Sequence, residues 1–221
     1  SAEEIHKKED GIEELKKAVS IYPKYASAYE QLGLLYERTG KKTNNKNMID
    51  SAESYYLLSL KYVPTTASVN NNLAKIYFER GEHQKAKQYY LKSVQYDPLF
   101  ADGYFNLGST YGMLSQFDSS LYYFQKSVKI DPDRAAAYYY MGLTYTKLNK
   151  LELGYQMFDK AIMINPKDIV AYNIKAETLM GEKRYAEALE VLNKGEKISA
   201  LNADLFILRC QIQVVLKNYN Q

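Results

Sequence analysis

Few side chains in this sequence stand where a reaction would need them. Neither of the two histidines, His6 and His83, has a plausible triad or metal partner nearby in sequence. The single cysteine, Cys210, falls in a series of small residues and reads as a buried structural thiol. The carboxylate pairs Glu3-Glu4 and Glu13-Glu14 read as solvated helix faces, and no glycine-rich phosphate loop is present. No cofactor or metal is expected, and the residues do not point to an enzyme. Binding chemistry remains, carried above all by tyrosines. The stretch "RAAAYYYMGLTYTKLNK" sets Tyr138, Tyr139 and Tyr140 in a row. Successive helical residues point about 100° apart, so these three cannot share one environment.

The elements that must position these side chains repeat along the chain. All five prolines fall at 23, 64, 98, 132 and 166, so the last three gaps are 34 residues and the first is 41. Tyr36, Tyr77, Tyr111 and Tyr145 keep the same spacing, followed by Leu179. So do the small residues Gly33, Ala74, Gly108, Gly142, Ala176 and Cys210. A second small series (Ala18, Ser59, Ser93, Ser127, Ala161, Gly195) runs beside a large one (Leu15, Tyr56, Tyr90, Phe124, Phe158, Leu192). Five series in phase define a repeat protein. Within one unit, Tyr104, Leu107, Tyr111 and Leu114, then Phe117, Leu121, Phe124 and Val128, recur at helical spacing on either side of a short polar break. The second helix ends at Asp131-Pro132, because proline disfavours helical geometry in the residue before it. Small residues let the paired helices approach, and large ones fill the space around them.

This pattern, cleanest in "YFNLGSTY…S…F…S…P" from Tyr104 to Pro132 and in "YYYMGLTY…G…F…A…P" from Tyr138 to Pro166, resembles the tetratricopeptide repeat. The resemblance implies an all-α solenoid of helical hairpins wound as a right-handed superhelix. It spans 1–221 as a single domain, with a partial repeat at 1–25 and full repeats at 26–66, 67–100, 101–134, 135–168 and 169–202. A terminal helix occupies 203–221. The seven extra residues of the first full repeat fall in "TGKKTNNKNMID", read as a solvated loop near 40–48. Lys175 stands where the pattern expects leucine, and the fifth repeat ends at Ala200 where the others have proline, so its packing is the least regular.

In this family the first helices line a concave groove, through the second, fifth, sixth, ninth, twelfth and thirteenth residues of each unit. Carried onto this sequence, the pattern keeps Tyr138 in the core with Tyr29, Tyr104 and Tyr172, and sends Tyr139 and Tyr140 into the groove. Gln31, Asn72 and Asn106 resemble part of an amide ladder that holds peptide backbones, since a carboxamide offers both donor and acceptor. The alternative role of Asn72 and Asn106 is to cap or bridge neighbouring helices. Lys75, Phe78, Phe105, Met113, Leu143, Ile174 and Met180 complete the expected lining, which turns apolar and aromatic toward the C-terminal half.

The lining also excludes partners. The carboxylate clamp of heat-shock co-chaperones needs cations where this chain has Glu30, Leu34 and Asp102, and a carboxylate there would be repelled. Acids Glu30, Glu37, Glu79, Asp102, Glu177 and Asp204 face bases Arg38, Lys75 and Lys147, the reverse of a nucleic-acid groove. Net charge is +3 from 29 basic and 26 acidic residues, too balanced to suggest nucleic acid. No apolar run of membrane-spanning length occurs, and "SAEEIHKKED" lacks the apolar centre of a signal peptide. The last helix is apolar on several sides. Phe206, Ile207, Val214 and Val215 form an expected self-association edge, unless the chain continues into further repeats. The expected function is a non-catalytic scaffold holding an extended peptide or a partner helix. An assembly module working through edges or convex faces is the alternative, as is a regulatory region cut from a larger enzyme.

Overall fold

A computed structural model describes the backbone of residues 2–199 and 202–219 and the side chains of residues 11–199 and 202–217. Those residues form twelve α-helices and no strand. They alternate along the chain: α1 (Ala2–Ile21), α2 (Ala26–Thr43), α3 (Lys46–Tyr62), α4 (Ala67–Glu79), α5 (His83–Tyr96) and α6 (Ala101–Met113) come first. Then follow α7 (Phe117–Ile130), α8 (Ala135–Lys147), α9 (Leu151–Ile164), α10 (Ile169–Gly181), α11 (Tyr185–Ile198) and α12 (Ala203–Tyr219). The even-numbered helices are the first helices of the repeats. The chain divides into two compact units, residues 1–114 and 115–221, where the repeat pattern suggests one domain. A tandem array packs neighbour on neighbour, so it can divide without two different folds. Within each unit a helix packs on its chain neighbours, and successive first helices also touch: α4 with α6, α8 with α10, α10 with α12.

The small and large series meet as expected. A Cβ on Gly33 would stand 2.5 Å from the ring of Tyr56, and one on Gly142 would stand 2.5 Å from the ring of Phe158. Only a bare backbone lets the paired helices close to that distance. Tyr56, Tyr90, Phe124, Phe158 and Leu192 are all buried, as are Ser59, Ser93, Ser127 and Ala161. Ser93 uses its place to donate to the Ala67 carbonyl, at the start of the first helix of its own repeat, at 2.9 Å.

Turns are equally regular. Gly81, Ser115, Asn149 and Lys183 stand at the fifteenth place of their repeats, with φ of 78°, 57°, 57° and 61°. This left-handed residue stops the first helix and redirects the chain. In the longer repeat the same role falls to Asn44 (φ 50°), four places later. That corrects the expected loop near 40–48: α2 gains a helical turn, α3 is extended in turn, and only Asn44 and Asn45 connect them. Glu37, Arg38, Lys41 and Lys42 are good helix formers. Asn45 then caps α3 by accepting the Met48 N–H at 3.3 Å.

At the start of three repeats, the fourth residue ties the preceding turn down. Tyr29 and Tyr172 donate to the carbonyls of Pro23 and Pro166 at 3.2 and 3.1 Å. Asn70 replaces the tyrosine in its repeat and donates to the Pro64 and Thr66 carbonyls at 3.1 and 2.8 Å. Lys175, the misfit at a leucine position, is accommodated by an ion pair with Asp159 of α9. Ala200 lies outside the described residues.

Candidate functional site

In the first unit, cross-helix hydrogen bonds define one face of the first helices. Ser68 of α4 donates to Glu30 of α2 at 2.7 Å. Asn106 of α6 donates through Nδ2 to Asn71 Oδ1 of α4 at 2.9 Å. Lys41 of α2 reaches Glu37 at 2.8 Å and Glu79 of α4 at 2.7 Å. These bonds put Glu30, Ser68, Asn71 and Asn106 on facing sides of adjacent first helices. Gln31 and Met113 are exposed, while Asn72, Lys75, Phe78, Phe105 and Asn106 are half-buried. The Phe78 ring lies 5.1 Å from that of His83.

Two features of this face were not legible in the repeat pattern. Asn71 is 5% exposed and links the amides, accepting from Asn106 while its own Nδ2 lies 3.5 Å from Asn72 Oδ1. Asn106 therefore bridges helices, the alternative role, and spends a donor on it. Glu37, read as a groove acid, is 8% exposed and accepts from the Tyr56 hydroxyl at 2.7 Å. Burial first, then the charge of Glu37, pushes the Tyr56 phenol far above its usual value. Burial disfavours the Lys41 ammonium, yet its bonds to Glu37 and Glu79 outweigh that and raise its pKa. The extra turn of α2 is what delivers Lys41 to this place.

In the second unit, Tyr138 is buried and Tyr140 is 37% exposed. Tyr139 is half-buried, packed on the core of the unit with Leu143, Ile174 and Met180. The Tyr140 ring lies parallel to that of buried Phe124 at 5.9 Å and tilted against Tyr139 at 4.7 Å. Burial and the neighbouring Tyr140 push the Tyr139 phenol up to about 12. Thr144 and Thr178 donate to the Tyr140 and Ile174 carbonyls, each at 2.8 Å, which ties them to the helix wall. Tyr140 is thus an exposed aromatic plate on a rigid backing.

Beyond it, α12 turns Leu205, Leu208 and Ile212 into the core and leaves Phe206, Ile207 and Val214 exposed, with Val215 half-buried. Cys210 is half-exposed beside Phe206 and Val214, which corrects the expected buried thiol. Its equivalent Gly142 packs against a second helix, and among the described residues none follows α12. His83 is half-buried and its Nδ1 finds no hydrogen-bond partner, while His6 lies outside the described side chains. Among the described residues no helix is long and apolar enough to cross a membrane.

Helical hairpins with small-on-aromatic contacts and a first-helix face of mixed amides and aromatics define a class: an all-α repeat solenoid that serves as a scaffold for protein interaction. Tetratricopeptide repeats make up the middle of the chain. Family models described as TPR repeat and tetratricopeptide repeat match residues 74–115, and residues 101–134 and 135–168. The last two stretches begin at the first residues of α6 and α8. A tetratricopeptide repeat protein of Parabacteroides merdae superposes with a TM-score of 0.75 at 21% identity, over 93% of this chain and 79% of that one. MamA matches at 26% identity and a TM-score of 0.64, over 73% of this chain and 94% of its own. YrrB, described as a TPR protein with an unusual peptide-binding site, gives 0.68 at 19%, over 87% and 95%. These likenesses establish the fold. No curated protein matches the chain by sequence.

Proposed function

We propose that the chain is a non-catalytic scaffold that holds an extended peptide against the face of its first helices. The supporting observation is Tyr140, an exposed aromatic ring backed in parallel by buried Phe124 and flanked by half-buried Tyr139, Leu143 and Ile174. An aromatic side chain held this way loses little freedom on binding, the condition under which such residues become anchors. In the first unit Gln31 and Asn72 offer amide groups for a peptide main chain, and Met113 adds an adaptable apolar contact. An array of unrelated peptides tests this. Replacing Tyr139 and Tyr140 together by alanine should weaken the peptides it selects by about 2–4 kcal/mol. Unchanged affinity in a folded variant would reject the reading.

A second reading, self-association through α12, is favoured by the exposure of Phe206 (65%), Ile207 (53%) and Val214 (57%). Sedimentation across a range of concentrations separates the two: association lost on replacing Phe206 and Val214 by serine would support it, and a monomer throughout would dismiss it.

A further inference from the structure

We propose that the uncovered side of α12 is completed by α1 of a second copy, which docks there as the second helix of a shared hairpin; this rests on the self-association reading above. Each of the two helices leaves open a face that the hairpins elsewhere in the chain keep closed. In α12, Phe206 stands in register with Tyr29, Tyr138 and Tyr172, which are buried, yet Phe206 is exposed. Cys210, in register with Gly33 and Gly142, is half-exposed and lines a shallow apolar hollow with Phe206, Ile207 and Val214. In α1, Leu15 stands in register with Tyr56, Phe124 and Phe158, and Gly11 with Ala52, Ser120 and Gly154. All six counterparts are buried, while Leu15 and Gly11 are only half-buried and Ile21 is exposed.

The docking continues an interface that the chain already builds. In the hairpin of α8 and α9, Phe158 fills the space over Gly142, and a Cβ on Gly154 would lie 3.1 Å from the Gly142 carbonyl oxygen and 2.9 Å from Thr146 Cγ2. Lys160 of α9 sets its ammonium 4.4 Å over the Tyr138 ring. In the hairpin of α2 and α3, Tyr62 stacks on Tyr29 at 5.9 Å. Carried in the same register to α12 and the second copy's α1, Leu15 covers Cys210 and Gly11 fits against Val214. Ile21 covers Phe206, and exposed Lys17 places its charge over that ring. Any apolar helix could shield Phe206. A small residue, a large one and a cation at the spacing of Gly11, Leu15 and Lys17 repeat the whole set of contacts, and α1 carries them on its open side.

The contact joins two different faces. An assembly of any length therefore still presents one free α1 and one free α12, and growth runs past the dimer.

Two measurements test the docking. Gly142 and Gly154 touch backbone to backbone, so Gly11 and Cys210 come within disulfide reach across the shared hairpin. Gly11→Cys is oxidised mildly and run on a non-reducing gel. A ladder of dimers, trimers and longer species is expected, its bonds mapped between position 11 of one copy and Cys210 of the next. Wild type, with its single cysteine, can give no more than a dimer. A Gly11→Cys protein that also stops at a dimer joined through Cys210 would overturn the proposal. The second measurement is sedimentation of Gly11→Leu across a range of concentrations. Within one copy a Cβ at this place meets Leu35 Cδ1 at 4.0 Å, an ordinary contact, so the fold tolerates the change, as circular dichroism would verify. In the shared hairpin the leucine collides with α12, and association should weaken about tenfold or more. Association lost on replacing Phe206 and Val214 by serine but untouched by Gly11→Leu would overturn the head-to-tail docking and leave self-association through α12 standing. A monomer at every concentration would overturn both.

Discussion

Replacing Gly142 by alanine probes the contact on which each hairpin depends. The added Cβ would lie 2.5 Å from Phe158 Cε1 and 3.0 Å from the Gly154 carbonyl oxygen. Phe158 is wholly buried and cannot swing away, and Gly154 is backbone in close contact with α8. The helices must separate or the ring must leave its rotamer, an overpacking cost of about 1–3 kcal/mol. Alanine's better helix propensity returns up to about 1 kcal/mol, so a net loss of roughly 1–2 kcal/mol is expected. For a chain of this size that lowers Tm by roughly 2–8 °C. Gly181, the last residue of α10, is the control: its Cβ would meet nothing within 4 Å, so alanine there should be neutral or mildly stabilising. Circular dichroism against temperature and urea measures both. Leucine at 158 should hurt less in the Gly142→Ala background than alone, because the two sites share the clash. Equal stability of Gly142→Ala and wild type, or strict additivity with Phe158→Leu, would refute the packing argument.

Two further predictions concern the frame around the face. Lys183 holds a left-handed φ of 61°, so Lys183→Gly should stabilise the chain by roughly 0.5–1 kcal/mol, read as a higher urea midpoint; a lower midpoint would contradict it. Burial opposes the Glu53 carboxylate, but hydrogen bonds from Tyr77 and Arg80 outweigh that and hold its pKa below the usual 4.5. Its contribution, about 1 kcal/mol, is therefore present above pH 4.5 and fades as pH falls through the lowered value. Glu53→Gln should be less stable at neutral pH and lose less on acidification, and parallel curves for the two proteins would count against the pairing.

The repeat register was legible because packing leaves a periodic mark: where Tyr56 and Phe158 fill space, Gly33 and Gly142 must make it. The family resemblance, carried onto that register, implied Tyr138 inside and Tyr140 outside, and Tyr138 is buried while Tyr140 is exposed. Position within the repeat did not reveal what the polar residues do. Asn71 and Asn106 bond across helices, and only the distance between α4 and α6 shows that their amides meet. Glu37 has an ordinary surface residue's sequence context, and its burial depends on Tyr56 nineteen places away. The extra segment misled for a local reason. Its asparagines and lysines have loop-like composition, yet only Asn44 and Asn45 turn the chain, while Lys41 and Lys42 extend a helix and Lys41 pairs with two carboxylates.

The most direct test of the account is where a bound peptide lies. A selected peptide carrying a spin label, added to protein with labelled methyl groups, reports proximity by line broadening. The account predicts strongest broadening at Leu143, Ile174 and Met180, on the first helices α8 and α10. Broadening concentrated instead at Leu153 and Met163, exposed on the second helix α9, would contradict it.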